Sequence, residues 1–204
     1  MAKPFFLDRR PHRGISYDEY MKRFQEKVEH TDPDTLDEQA RQLWEYTKLN
    51  LQRSQRVWKT YRPSPELKDV VQQLSRPQLW MVLTEDWCGD SAQLLPIIAK
   101  IASLSDNITL KILYRDENPD IMDQYLTNGK RGVPKLVAFS QTGEELFTWG
   151  PRPREAQRIF NEGVAAGLPK TEIYPKLQLW YSKDRGKTTE AELIELLRQH
   201  ASSH

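Results

Sequence analysis

The stretch Leu83-Thr84-Glu85-Asp86-Trp87-Cys88-Gly89-Asp90-Ser91 decides how this chain folds. Before it, Gln78 to Thr84 is a short, nearly continuous apolar run, the pattern of a strand buried on both faces. After it, Ser91 to Leu104 reads as a helix with Pro96 inside it. Cys88, the only cysteine, therefore lies between a buried strand and a helix start. Backbone N–H groups at a helix N-terminus favour negative charge, so a thiol there gains thiolate character. The thiolate is the nucleophile of thiol–disulfide exchange. The competing reading is a small buried hydrophobe, which free cysteine often is, but a polar turn is a poor place for one.

Downstream, Ile108 to Tyr114 alternates and reads as a second strand, and Asn118-Pro119 opens a helix to about Leu126. Arg131-Gly132-Val133-Pro134 precedes a third strand, Lys135 to Ser140. A proline opening an interior strand donates no ladder hydrogen bond, and a cis Val133–Pro134 bond would account for it. Such a bond is expected to pack beside Cys88. Gln141-Thr142-Gly143 makes a hairpin turn, Glu144 to Trp149 a fourth strand, and Arg154 to Ala166 a helix. The β-α-β start implies parallel strands, and the closing hairpin adds an antiparallel edge.

Upstream, Ser16 and Glu19 have capping-box spacing for a helix to about Glu29. Leu36, Ala40, Leu43, Trp44, Thr47, Leu51 and Trp58 mark a long amphipathic helix to about Thr60. Pro65 starts another, with Leu67, Val70, Val71 and Leu74 on its apolar face. Tyr174 to Tyr181 and Thr189 to His200 read as two final helices, the second capped by Thr188 or Thr189. This divides the chain into a helical extension over 1–62, an α/β domain over 63–166 and a second helical extension over 167–204.

Strand, Trp-Cys-Gly-x-x, kinked helix, strand, helix, Val-Pro, hairpin and terminal helix, in that order, resemble the thioredoxin superfamily. More narrowly, Glu85 to Asp90, Tyr114 to Asn118, Tyr125 to Gly129 and Thr148-Trp149-Gly150-Pro151-Arg152-Pro153 look like a bacterial branch of thioredoxin family proteins with a one-cysteine loop. The resemblance implies a thioredoxin-like fold, β-α-β-α-β-β-α with a mixed sheet, and thiol–disulfide oxidoreductase chemistry. It assigns Cys88, Ser91, Asp90 and Trp87 to the catalytic loop, and Val133, Pro134, Gly132 and Gly150 to the surface that takes an extended substrate. Asp90 and Ser91 read equally as helix-capping residues, Trp87 as a lid or as packing, and Gly150 as a point where a bound chain comes close.

Three departures narrow the chemistry. Ser91 stands where the resolving cysteine should be, and a serine hydroxyl cannot release a mixed disulfide. The buried acid expected six residues before the cysteine is Val82, leaving Glu85 or Asp86 as substitutes. Asp90 replaces a proline, and its carboxylate opposes a nearby thiolate, so Cys88 is expected to be less acidic than a catalytic thioredoxin cysteine.

Thirty basic against twenty-nine acidic residues leave a net charge of +1, which gives no overall pull toward nucleic acid or membrane. Arg53, Arg56, Lys59 and Arg62 form a local basic run, read as a solvated face. One cysteine excludes an intrachain disulfide framework and suits the cytoplasm. His12, His30, His200 and His204 have no ligand spacing, so no metal or other cofactor is expected. The expected function is a monothiol redox protein, its partner a disulfide-containing protein or a small thiol. A non-catalytic peptide-binding module is the alternative, and an iron–sulfur carrier of the monothiol glutaredoxin type is a lesser one.

Overall fold

In the computed structural model, residues 2–200 are described; Met1 and residues 201–204, which include His204 and the outer ends of both extensions, lie outside them. The chain forms α1 (Pro4–Leu7), α2 (Tyr17–His30), α3 (Glu38–Thr60), α4 (Pro65–Gln72), β1 (Gln78–Thr84), α5 (Gly89–Ala102) and β2 (Ile108–Tyr114). It continues through α6 (Pro119–Met122), β3 (Lys135–Ser140), β4 (Glu145–Trp149), α7 (Arg154–Ala165), α8 (Lys170–Asp184) and α9 (Lys187–His200).

The four strands make one mixed sheet in the order β2-β1-β3-β4. β1 runs parallel to β2, Gln78 opposite Ile108, and antiparallel to β3, Leu83 opposite Lys135. As a central strand, β1 is buried at every position, which its unbroken apolar run anticipates. Alternation sends Trp80 and Val82 into one core with Leu136 and Ala138, and Leu79, Met81 and Leu83 into the other with Val137 and Phe139.

The larger core is roofed by α4, α5, α8 and α9. The smaller is closed by Ile121, Met122 and Tyr125 and by Phe5 and Phe6 from α1. Burying two phenylalanines contributes roughly 1.5–3 kcal/mol each, so the first residues of the chain are core, although their sequence shows no periodic apolar run. Ile15 then pairs with Ile112 in an antiparallel bridge along the outer edge of β2, which shields that edge from other chains.

Ser16 caps α2 by accepting from the Glu19 N–H at 3.2 Å, as the capping-box spacing anticipates. α3 buries Thr47, Asn50, Leu51 and Ser54, whereas Leu43, expected on its apolar face, is exposed. Leu43 lines a cleft, and the buried face of α3 is partly polar, Ser54 Oγ donating to the Ala92 carbonyl of α5 at 3.3 Å.

Two other elements differ from expectation. α6 stops at Met122 rather than Leu126, because Asn128 and Gly129 take positive φ of 51° and 72° and reverse the chain. Tyr125 instead drops into the smaller core and hydrogen-bonds Glu145. α9 begins at Lys187, with Thr188 and Thr189 inside its first turn rather than capping it. The Asp184 carboxylate accepts from the Thr188 N–H at 3.2 Å after a left-handed turn through Arg185 and Gly186.

Candidate active site

The end of β1, the start of α5 and the residues before β3 converge on Cys88. Cys88 is the N-cap of α5, with extended backbone at φ −85° and ψ 117°. Its sulfur accepts from the Ser91 N–H at 3.5 Å, and its thiol donates to the Val133 carbonyl at 3.2 Å. The Val133–Pro134 bond is cis, as expected from the proline at the strand start, and Val133 lies directly against the sulfur. The capping role expected of Asp90 or Ser91 therefore belongs to Cys88. The reason is register: the helix starts at Gly89, which puts both residues inside its first turn.

Burial, reinforced by the Asp90 carboxylate, pushes the Cys88 thiol up to about 11, while the N–H groups of the helix start pull the other way. The direction agrees with the expected loss of acidity, but desolvation outweighs the neighbouring anion as its cause. Cys88 remains half-buried rather than sealed, opening onto a cleft.

The Asp90 carboxylate is held in a buried pair. One carboxylate oxygen meets the Arg152 guanidinium at 2.7 Å, and the other accepts from the Tyr181 hydroxyl at 2.6 Å. Arg152 stacks over the Phe160 ring with its guanidinium carbon 4.0 Å from the centroid. Burial and the Asp90 carboxylate keep the Tyr181 hydroxyl protonated well above its usual range, so it remains a donor.

The substitutes expected for the missing acid are engaged elsewhere. Glu85 accepts from the Asp116 N–H at 2.8 Å, and burial raises its pKa. Asp86 pairs with Lys27 at 2.7 Å, and its main-chain carbonyl accepts from Asn50 at 3.1 Å. Val82 is fully buried in the larger core.

Trp87 borders the cleft with the Arg115 guanidinium 4.7 Å from its ring. Arg115 also donates to the Arg131 carbonyl at 3.0 Å, joining the loops after β2 and before β3. The two glycines expected to meet substrate are both packed closely against the chain itself, and Gly132 also lines the cleft. A Cβ on Gly150, whose φ is +103°, would lie 2.3 Å from the Pro134 carbonyl oxygen, and one on Gly132 would lie 2.9 Å from Pro151. The close approach at Gly150 is thus made by the Pro134 backbone.

The cleft, about 760 Å³, is walled by Trp87, Cys88, Val133 and Pro151 and by the facing sides of α7 and α8. Sequence reasoning missed Arg152, Tyr181, Lys130 and Lys170. Arg152 falls within the Gly150-Pro151-Arg152-Pro153 motif, which was the one available signal; the others lie in stretches with no distinguishing pattern. Among the described residues, no three His, Cys, Asp or Glu side chains gather in a metal-holding group.

The whole chain is similar to a protein of unknown function from Pseudomonas aeruginosa, with 16% identity and a TM-score of 0.59 over 93% of this chain and 95% of that one. It is also similar to an HIV epitope scaffold, with 17% identity and a TM-score of 0.52 over 91% and 99% of the two chains. At such identities the likeness speaks for the fold. No curated protein matches. A family model described as thioredoxin matches residues 36–166. That match spans more than half of the 204 residues and contains the sheet, the Cys88 loop and the cis-proline, and the chain belongs to the thioredoxin family.

Proposed function

We propose that this chain is a monothiol redox protein of the one-cysteine thioredoxin branch, in which Cys88 forms mixed disulfides with protein or low-molecular-weight thiols. The observation that carries this reading is the sulfur itself: it caps α5, contacts the cis-proline segment through Val133, and opens onto a cleft. The Cys88 thiolate attacks one sulfur of a disulfide, forming a new S–S bond while the other sulfur leaves as thiolate and takes a proton. Ser91 cannot resolve the product, so an external thiolate attacks it and returns Cys88. With burial pushing the thiol up to about 11, the thiolate is a minor form at neutral pH, so attack is expected to quicken in alkaline solution. A cytoplasmic setting, where thiols stay reduced, suits a single free thiol.

The test is to incubate the reduced protein with bis(2-hydroxyethyl) disulfide at pH 9 and read the intact mass. One adduct at Cys88 is expected; no adduct after prolonged incubation at high disulfide overturns the reading. A second reading, a non-catalytic peptide-binding module, draws support from the same raised thiol and from Ser91. It predicts that a Cys88→Ala variant keeps full cellular activity, whereas the redox reading predicts that activity is lost.

A further inference from the structure

The cleft beside Cys88 is charged out of proportion to the chain. Arg115, Lys130, Arg131, Arg152 and Lys170 line it, and Asp90 is its sole acidic lining residue, although the whole chain carries only +1. Asp90 is already neutralised by Arg152. Arg115 and Arg131 pair with Asp116 and Asp123, neither of which lines the cleft. Among the described residues, Lys130 and Lys170 form no ion pair. The buried Arg152 Nε–H has no acceptor.

The cations come from separate parts of the chain: Arg115, Lys130 and Arg131 from the loops flanking α6, Arg152 from the loop between β4 and α7, and Lys170 from the first residue of α8. Trp87, Pro151 and Phe160 line the same cleft. Positive charge focused by low-dielectric walls raises the local concentration of anions. A cleft of about 760 Å³ is of small-molecule size.

We propose that this cleft selects a small disulfide bearing carboxylates at both ends, held between Lys130 and Lys170 while Cys88 attacks its S–S bond. The inference rests on the monothiol reading above and names its substrate class. The step balances: the Cys88 Sγ–S bond forms, the substrate S–S bond breaks, and the released carboxylate-bearing thiolate takes a proton from water. Cys88 is oxidised to the mixed disulfide, and half of the small disulfide is reduced to thiol.

The experiment measures adduct formation on the full chain with three probes: 3,3′-dithiodipropionate, which is dianionic, bis(2-hydroxyethyl) disulfide, which is neutral, and cystamine, which is dicationic. Each rate is divided by that probe's rate with N-acetylcysteinamide, which removes intrinsic reactivity. The normalised rates should fall in the order anionic, neutral, cationic, with the anionic probe on the order of tenfold ahead of the neutral one at low salt. The lead should shrink toward one in about 1 M salt, where the screening length is only about 3 Å. A Lys130→Gln/Lys170→Gln double variant should narrow it at low salt too. Adducts with the neutral probe but no anionic preference would overturn the substrate class and leave the monothiol reading standing. No adduct with any probe would remove both.

Discussion

The loop that carries Cys88 is braced from two sides, and the braces differ in kind. On the side of the N-terminal helices, Lys27, its side chain 54% exposed, pairs directly with Asp86, only 7% exposed, while the buried Asn50 donates to the Asp86 carbonyl. On the side of the C-terminal helices, Arg152 and Asp90 meet with side-chain exposures of 11% and 8%, and Tyr181 completes the cluster. An ion pair with both partners in water contributes about 0–1 kcal/mol because either can be hydrated instead; here only Lys27 has that option. A buried charge that loses its partner has no such substitute. The loop is therefore held by a fully buried pair from the α7–α8 side and, from the α2 side, by a buried carboxylate whose cation stands in water.

The sharpest way to break this contrast is Arg152→Met, which leaves the Asp90 carboxylate buried with only the Tyr181 hydroxyl. A loss of about 3–5 kcal/mol is expected in urea unfolding, and adding Asp90→Asn should recover a good part of it. A loss below 1 kcal/mol would mean that the cleft hydrates Asp90 and that the two braces are alike. Asn50→Ala should cost about 1–3 kcal/mol, because it leaves the buried Asp86 carbonyl without its donor. Lys27→Met should cost about 1–3 kcal/mol in urea unfolding, because the Asp86 carboxylate is then left buried without its cation while one of its oxygens already lacks a partner.

A smaller change is expected at the sulfur. In Asp90→Asn the thiol midpoint, followed by alkylation rate against pH, should fall from about 11, but only in part, since burial is the larger cause. The same elevation makes a stability prediction. The folded thiol titrates above its unfolded value of about 8.5, so its contribution is complete below that pH. It is lost as the pH rises through about 11. Wild type should accordingly lose more stability than Cys88→Ala between about pH 8.5 and pH 11. Equal losses would show the sulfur to be better solvated than its surroundings imply.

Much of the loop was legible in the sequence because its signals are local. A proline at a strand start pointed to the cis Val133–Pro134 bond, and a lone thiol between strand and helix located the cleft floor. The partners of Asp90 were not legible, since Arg152 and Tyr181 lie 62 and 91 residues further along. Gly150 misled for a related reason. Its need for close backbone approach could be read, but not that the approaching atom is the Pro134 carbonyl.

The sequence by itself determined the order of strands and helices, the double-sided burial of β1 and the identity of the reactive atom, because hydrophobic period, capping spacing and the count of thiols are properties of neighbouring residues. Only the tertiary structure decided that Phe5 and Phe6 close the smaller core, that Asp90 is paired with Arg152 and Tyr181, and that cations from three loops and one helix share one cleft. Those outcomes depend on which surfaces meet when apolar area leaves water. That choice is made by packing across the whole chain and leaves no mark on any short stretch of it.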